Sequence, residues 1–227
     1  MQHYLRTPAR SIKTPGMARI LFINPNSNIT CGDGIAAAIE RYRTPGGPAF
    51  NVISLQDGPP AIVSWRDWHA AVEPLCRAVA REKADLYVVA CASDPGIDAV
   101  QAETMAPVLG AFRAAVAVAI TAAPSFGVIA LAEASKGRHL LALRAMGLET
   151  RLAAEIAMNL PITTLLDPEF AREALITVAC VLAEQGAGAI ILGCTGMAHH
   201  RDAIELACGL PVIDPCQAAA CIALARV

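Results

Sequence analysis

Two cysteine side chains, Cys91 and Cys194, follow apolar runs of the same form and are the residues best placed to do chemistry. Cys91 closes the run Ala84-Asp-Leu-Tyr-Val-Val-Ala. Cys194 closes the run Ala187-Gly-Ala-Ile-Ile-Leu-Gly. Each cysteine lies seven residues after the alanine that opens its run, and small turn-forming residues follow at once. The sequence thus contains two copies of a buried parallel strand that ends at a thiol, so we expect the two thiols to meet in one site.

Two thiols on opposite faces of one carbon atom could exchange its proton. Removing a proton next to a carbonyl leaves a planar carbanion, and inverting the centre requires a base on one face and an acid on the other. A free thiol has a pKa of about 8.5 and is largely un-ionised at pH 7, so its pKa must be lowered. A helix N-terminus does this through its dipole and unpaired N–H groups, and both cysteines precede a predicted helix start. The alternative is that both are buried structural thiols at strand ends.

Polar and small residues near these strand ends are the candidate binding groups for a substrate. The loop Asn24-Pro-Asn-Ser-Asn28 follows the first strand and leads into a helix, so its donors could hold a carbonyl, imide or carboxylate. The candidate substrate-binding residues are Asn24, Asn26, Ser27, Asn28, Ala92, Ser93, Ala130, Thr195 and Gly196. Helix capping is the alternative role for the serines, for Asn28 and for Thr195. Asp94 is interpreted as a helix cap rather than a base.

The histidines indicate neither a metal site nor a histidine-activated thiol. None of the five histidines has metal-ligand spacing with cysteine or carboxylate, so we expect no metal ligands. No motif places a histidine beside either cysteine, which argues against a cysteine hydrolase, and His199 and His200 are expected at the surface. Four further cysteines lie within helical apolar patterns and are expected to fill the core: Cys76, Cys180, Cys208 and Cys221.

The elements that must position these residues alternate along the chain as strand, loop and helix. Strands are predicted at 18–24, 50–55, 86–91, 107–109, 126–131, 188–193 and 210–213. These are unbroken runs of Val, Ile, Leu and Ala for the most part, typical of a parallel sheet buried on both faces. Helices are predicted at 29–42, at 66–83 with a kink or break at Pro74, from Asp94-Pro95, at 133–146, from Asp167-Pro168 to Gly186, and from Asp214-Pro215. The pattern indicates an α/β fold.

The two halves of the chain correspond, since each begins with a strand and a polar loop and ends with helix, strand and cysteine. We therefore predict two similar lobes, each an open, mostly parallel sheet flanked by helices. They span 17–112 and 113–209, and the C-terminal helix at 210–227 returns to the first lobe. Ligands bind outside the carboxyl ends of parallel strands, which places the cysteine-bearing strands around one active-site cleft between the lobes.

Composition excludes several classes of partner. Hydrophobic residues make up 55% and charged residues 17% of the 227-residue chain, so a globular protein with a substantial core is expected. A net charge of −2 and 4% aromatic residues provide no footprint for nucleic acid, which favours a small-molecule substrate. The longest apolar run, 114–132, is interrupted by Pro124, Ser125 and Gly127, so we predict a helix end, a turn and a strand rather than a membrane span.

Cysteine usage and the first residues bear on location. Eight cysteines without a CxxC pair, and no signal peptide, indicate free thiols in a reducing cytoplasm. Residues 1–16 are basic and contain proline, unlike the remainder. They are predicted to be a flexible arm or to precede a start at Met17, with an organellar presequence as the alternative.

Four motifs follow one another along the chain. They are Asn24-Pro-Asn-Ser-Asn28, Ala90-Cys91 with Asp94-Pro95-Gly96, Ile-Leu-Gly193-Cys194-Thr-Gly-Met197, and Leu210-Pro-Val-Ile-Asp214-Pro. Together they resemble the aspartate/glutamate/hydantoin racemase family, in its hydantoin and allantoin racemase branch, from about Met17 to the C-terminus. The resemblance implies that Cys91 and Cys194 are the acid and base of a racemization without metal, pyridoxal phosphate or nicotinamide.

One position departs from the family. After the strand that begins the second lobe, members usually carry hydroxyl residues that hold the substrate, whereas this chain has Ala130-Leu131. The pocket therefore suits a larger or less polar ligand than aspartate or glutamate. We expect a homo-oligomeric, cofactor-independent racemase of a hydantoin- or allantoin-like cyclic ureide. The alternatives are an aspartate/glutamate-type amino-acid racemase and a catalytically silent metabolite-binding member of the fold.

Overall fold

The computed structural model describes residues 17–161, 164, 169 and 171–227. The expected arm at 1–16 and the expected helix start at Asp167-Pro168 lie outside the described residues.

Two parallel sheets of four strands form the framework, which confirms the predicted fold class. The first sheet contains β1 (Arg19–Asn24), β2 (Ala49–Ser54), β3 (Leu86–Val89) and β4 (Val108–Gly110), in the order β2-β1-β3-β4. The second contains β5 (Phe126–Ala130), β6 (Leu152–Ala157), β7 (Ile190–Gly193) and β8 (Val212–Ile213), in the order β6-β5-β7-β8. The pairs in both sheets are parallel. The strands that lead to the two cysteines, β3 and β7, thus occupy the same position in their sheets.

Helices connect the strands and cover the sheets. They are α1 (Ile29–Ile39), α2 (Trp65–Ala70), α3 (Val72–Arg81), α4 (Ile97–Ala102), α5 (Ala111–Ala122), α6 (Glu133–Met146), α7 (Arg172–Glu184), α8 (Arg201–Cys208) and α9 (Pro215–Leu224). Short 3₁₀ turns follow α1 at Glu40–Tyr42, precede β6 at Glu149–Arg151 and follow β7 at Thr195–His200.

Several helix boundaries follow from the residues that cap them. Gly147 ends α6 with φ of 69°, a left-handed conformation that glycine adopts without strain. The side chain of Asp214 accepts the Gln217 N–H at 2.8 Å, and proline occupies the first turn of α9. The helix predicted at 66–83 is divided at Ala71 into α2 and α3. Pro74 lies in the first turn of α3, where its missing N–H has no intrahelical partner to lose.

Two local predictions are wrong. The turn after Cys91 does not open a helix with Pro95 at its first position, because α4 begins at Ile97 after Gly96, whose φ is 59°. Strand β6 has no counterpart among the predicted strands. It is an edge strand that is half-buried along most of its length, and the segment Leu-Ala-Ala-Glu-Ile-Ala shows neither a long apolar run nor a clear alternation.

One large apolar core joins the two sheets. Its buried side chains include Phe22 and Val88 from the first sheet and Phe126 and Ile191 from the second. Helices α5 and α9 also contribute to this core, and α9 packs against α5 and α1. Two smaller cores cover the outer faces, one between the first sheet and α3 and one between the second sheet and α7. The lobes therefore meet through shared packing.

The structure corrects the predicted lobe division in one place. Residues 210–227 do not all return to the first lobe, because β8 pairs with β7 in the second sheet. Val212 and Ile213 are both buried there, so the second sheet extends beyond residue 209. The predicted break in the run 114–132 is confirmed, since α5 ends at Ala122 and β5 follows. Within the described ranges, no helix is long and apolar enough to cross a membrane.

Candidate active site

The carboxyl ends of β3 and β7 bring Cys91 and Cys194 to one cavity. Both cysteines line this cavity, whose volume is ≈ 40 Å³, and its wall contains residues of both lobes. Neither thiol forms a disulfide. The cavity lies outside the strand ends, where open parallel sheets bind ligands. The expectation that the two cysteines meet in one site is confirmed.

Each thiol accepts a hydrogen bond from a backbone N–H two residues further along the chain. The Ser93 N–H donates to Cys91, and the Gly196 N–H donates to Cys194. The Sγ atom of Cys91 also lies 3.4 Å from Ser93 Oγ. Hydrogen bonds of this kind favour the thiolate form. The two thiols thus have the same local backbone support, which agrees with a strand–cysteine–turn unit that occurs twice.

The expected position at a helix N-terminus holds for one cysteine. Cys194 directly precedes the 3₁₀ turn Thr195–His200. The helix after Cys91 begins only at Ile97, and the intervening turn contains Asp94 with φ of 45°. The helix-dipole argument is therefore wrong for Cys91, whose thiolate receives support from Ser93 and from a nearby positive charge instead.

Burial raises the pKa of both thiols, but not equally. Burial, together with the smaller effects of Cys31, Cys91 and Asp214, raises the pKa of Cys194 to about 12, although the hydrogen bond from Gly196 lowers it. Burial and, to a smaller extent, the charge of Asp94 also raise the pKa of Cys91, while the hydrogen bonds from Ser93 and the positive charge of Arg138 lower it. The ionised form is therefore better supported at Cys91 than at Cys194.

Asp94 caps α5 rather than α4, the helix that follows it in the chain. Its carboxylate accepts the backbone N–H groups of Phe112 and Arg113 at the start of α5, both at 2.9 Å. Burial raises its pKa to about 6, although these bonds lower it. Glycine at position 110 permits the approach, because a Cβ atom there would lie 2.4 Å from the carboxyl group. Asp94 is thus a helix cap, as expected, but of α5 rather than of the helix that follows it, and the cap ties the turn after Cys91 to α5.

The polar loop after β1 contributes Asn26 to the cavity wall. Asn24 is fully buried, and its amide donates to Asn26 Oδ1, the Asn28 carbonyl and Ser54 Oγ at 3.1–3.2 Å. Asn28 precedes α1 without a side-chain capping bond, and Ser27 donates its backbone N–H to the loop after β2. Asn24, Ser27 and Asn28 do not line the cavity, so their observed role is to hold the loop that presents Asn26.

Some of the remaining candidate binding residues line the cavity, and others do not. Gly196 acts through its N–H group on Cys194 and does not line the cavity. Ala130 is fully buried at the end of β5, and the next residue, Leu131, lines the cavity instead. An apolar side chain therefore occupies this part of the wall. Three candidates line the cavity beside the thiols: Ala92, Ser93 and Thr195.

Sequence reasoning missed two consecutive residues of α6, Arg138 and His139. Both are buried and line the cavity. Arg138 donates to the Val63 carbonyl at 3.2 Å and to Ser135 Oγ at 3.1 Å. His139 Nδ1 lies 2.5 Å from Glu155 Oε1. No motif predicted that His139 would line the cavity, and its partner Glu155 lies on strand β6, which was not predicted.

The segment between β2 and α2 closes the cavity. Ala61 and Ile62 line it, directly after the proline-containing loop. Trp68 Nε1 donates to the Ser93 carbonyl at 2.8 Å, which fixes this region to the turn after Cys91. A third thiol, Cys31 on α1, also lines the cavity, and burial raises its pKa.

Some of the other expected placements are wrong. His199 is exposed as expected, but His200 is buried. Cys221 is exposed on α9 and fills no core, whereas Cys76 and Cys208 pack against core clusters. Within the part of the chain that the structure describes, no group of three or more histidine, cysteine or acidic side chains could hold a metal ion.

The fold and the site define a two-lobed parallel α/β protein with one thiol at the end of an equivalent strand in each lobe. The family model of the Asp/Glu/hydantoin racemases matches residues 20–223, nearly the whole length. The chain belongs to this family.

Individual relatives agree with that membership. The chain is 34% identical over 212 residues to a hydantoin racemase of Paenarthrobacter aurescens, covering 90% of this chain and 89% of the relative. Among solved structures, it is similar to an allantoin racemase from Klebsiella pneumoniae, with 29% identity and a TM-score of 0.83 over 92% of this chain and 86% of that one. An allantoin racemase from Pseudomonas fluorescens gives 25% identity and the same TM-score over 92% of this chain and 91% of that one.

Proposed function

We propose that the protein is a cofactor-independent racemase of a hydantoin- or allantoin-like cyclic ureide, with Cys91 and Cys194 as its acid and base. The observation that carries the proposal is the thiol pair, which lines one cavity from equivalent strand ends of the two lobes. The hydantoin racemase and the allantoin racemases to which the chain is similar support the class of substrate.

The unequal environments of the thiols suggest how a reaction cycle begins. Cys91 has the better-supported thiolate and would take the proton from the carbon next to the carbonyl on one face. The Cys194 thiol would then deliver a proton to the opposite face of the planar carbanion. The proton count is unchanged at the end, with Cys91 as thiol and Cys194 as thiolate. Catalysis of the opposite enantiomer uses the same steps in reverse.

The wall of the cavity supports a ring with both apolar and polar edges as the substrate. Leu131 presents an apolar side chain to the cavity, whereas Ser93, Arg138 and His139 are polar residues of its wall. A neutral amide carbonyl also stabilises an adjacent carbanion better than a carboxylate does, because the carboxylate already carries negative charge. An aspartate/glutamate-type amino-acid racemase is the second candidate within the family.

A proton-exchange screen in heavy water tests the proposal. We expect 5-substituted hydantoins or allantoin to exchange the proton at the chiral carbon faster than aspartate or glutamate, as measured by proton NMR. Thiol alkylation should abolish exchange, and a chelator should leave it intact. The variant Cys76→Ala is the matched control, because this thiol lies on α3 and does not line the cavity.

Other outcomes have defined meanings. Exchange of aspartate or glutamate with inert hydantoins would place the protein with the amino-acid racemases. The absence of exchange with every compound would identify a metabolite-binding member of the fold without activity.

We also infer that the protein acts in a reducing cytoplasm as a homo-oligomer. The cysteines of the described residues are free thiols, which supports the compartment. Light scattering on the purified protein tests the assembly, and a monomer at micromolar concentration would contradict it.

A further inference from the structure

Two buried nitrogen atoms in the cavity region have no hydrogen-bond partner. They are Arg138 Nε and His139 Nε2, and neither finds a donor or acceptor among the described residues. Both side chains line the cavity, and they are 2% and 0% exposed. Buried polar atoms in folded proteins almost always have partners, and an exception calls for an explanation such as a catalytic role or a bound partner. These two atoms therefore indicate a ligand that offers one acceptor and one donor.

The acidic neighbour of His139 determines which bond its ring can make. A carboxylate only accepts hydrogen bonds, so Glu155 requires the proton of the imidazole on Nδ1. In the neutral ring this leaves Nε2 as an acceptor. The ring also stacks on Phe112, with centroids 4.4 Å apart, which holds its orientation. His139 is thus prepared to accept a hydrogen bond.

Arg138 provides the complementary donor. Its Nε–H can only donate, and its two Nη atoms already bond to the Val63 carbonyl and to Ser135. The guanidinium lies 5.9 Å from the Trp65 ring centroid. Burial lowers the pKa of Arg138, while the negative charges of Cys91, Asp67 and Glu155 raise it. A buried positive charge stabilises negative charge that forms beside it.

We propose that Arg138 and His139 together recognise the amide edge of the substrate ring. Arg138 donates to the carbonyl oxygen next to the reacting carbon, and His139 accepts the ring N–H on the other side of that carbonyl. In a hydantoin these are the C4 carbonyl and the N3–H group, which lie side by side. The inference rests on the proposed function, and it specifies which ring atoms of the substrate form hydrogen bonds with the protein.

The two residues have different roles in the reaction. The carbonyl oxygen gains negative charge when the proton leaves, so the bond from Arg138 strengthens in the transition state and raises kcat. The ring N–H keeps its character throughout, so the bond to His139 contributes to binding and lowers KM. A residue with a merely structural role would not change kcat alone or KM alone, so these separate effects distinguish recognition from structural support.

Methylated substrates test the proposal with the wild-type protein. A 5-substituted hydantoin is compared with its N3-methyl and N1-methyl analogues, by exchange in heavy water. We expect N3-methylation to lower kcat/KM by about 10-fold or more, since it removes the donor and leaves His139 unpaired. N1-methylation should change kcat/KM by no more than about 3-fold. Equal losses from the two methyl groups would overturn the proposal.

Variants assign the effect to the two residues. His139→Leu should reduce the ratio between the parent and the N3-methyl compound to near one. Arg138→Met should lower kcat on the order of 10²-fold for the parent compound. Lys136→Met is the matched control on α6, since Lys136 forms only a partly exposed ion pair with Glu133, and all three compounds should behave as with wild type. A His139→Leu variant that keeps the preference would also overturn the proposal.

The design separates this inference from the proposed function. If the wild-type protein exchanges no hydantoin at all, the proposed function fails. If it exchanges the parent compound and the N3-methyl analogue equally well, only the recognition by Arg138 and His139 fails. Circular dichroism of each variant verifies the fold, and the wild-type comparison of methylated substrates does not depend on it.

Discussion

At the scale of single residues, the candidate site combines two similar thiols in unequal surroundings. Both accept an N–H bond from the residue two positions further on, but only Cys91 also has Ser93 Oγ and the charge of Arg138 nearby. The duplicated sequence pattern therefore predicted the thiol pair, whereas it could not predict the asymmetry. That difference arises from α6, which is distant in sequence and reaches the cavity only in the folded chain.

The asymmetry predicts an order of chemical modification. The thiolate is the reactive form, so alkylation by iodoacetamide should accelerate as pH rises toward the raised pKa values of both thiols. Below pH 9, Cys91 should react faster than Cys194, whose pKa burial raises to about 12. Peptide mapping by mass spectrometry after short exposures measures both rates. Faster modification of Cys194 would contradict the assignment of the better-supported thiolate.

At the scale of elements, the sequence predicted what depends on local chemistry. Buried strands, glycine and aspartate caps and the break in the longest apolar run were correctly predicted because their signals lie within a few residues. Strand β6 was missed because its half-exposed edge position gives no apolar pattern, and with it the partner of His139 was missed. Asp94 was identified as a cap, but the helix it caps lies 18 residues away. Such pairings depend on tertiary packing.

The buried cap predicts a pH dependence of stability. Burial raises the pKa of Asp94 to about 6 in the folded state, from an ordinary value of 3.8. A carboxyl group with a raised folded pKa stabilises the fold fully below its unfolded pKa, and this contribution is lost as pH rises through about 6. The variant Asp94→Asn cannot ionise at this position, so its stability lacks this pH dependence, and the stability of wild type relative to the variant should fall between pH 4 and pH 7.

Urea unfolding at several pH values measures this relative stability. A difference in the free energy of unfolding that stays constant between pH 4 and pH 7 would contradict the raised pKa. The variant Asp94→Ala removes both hydrogen bonds to α5 and should cost about 1–2 kcal/mol at pH 4, in the range of other lost helix caps.

At the scale of the whole molecule, the site lies between two sheets that share one core. Phe22 and Val88 belong to the first sheet and Phe126 and Ile191 to the second, yet all four are part of the same cluster. Helix α9, at the far end of the chain, packs against α1 and α5. The relative position of the two thiols is therefore fixed by packing throughout the molecule rather than by a hinge between independent units.

Shared packing predicts that the two lobes unfold together. Trp65 and Trp68 belong to the first lobe, and Trp65 lies against Arg138 of the second, so their fluorescence reports on the contact between the lobes, while far-UV circular dichroism reports on the helices and strands of both. The two signals should give coincident urea transitions. Phe126→Ala, a change in the second lobe, should lower stability by about 3–5 kcal/mol and shift both curves equally. A fluorescence transition that does not coincide with the circular dichroism transition would show that the lobes unfold independently.

The central claim is that Cys91 and Cys194 serve opposite faces of one carbon atom, and single-thiol variants test it most directly. Each pure enantiomer of a 5-substituted hydantoin is incubated in heavy water with Cys91→Ala, with Cys194→Ala and with the control Cys76→Ala, and proton NMR follows exchange and inversion separately. Both site variants should lose racemization by on the order of 10²–10⁴-fold, while the control retains it. Each site variant should still exchange one enantiomer through its remaining thiol, and the two should prefer opposite enantiomers. Exchange of the same enantiomer by both, or racemization at the wild-type rate by either, would contradict the two-thiol account.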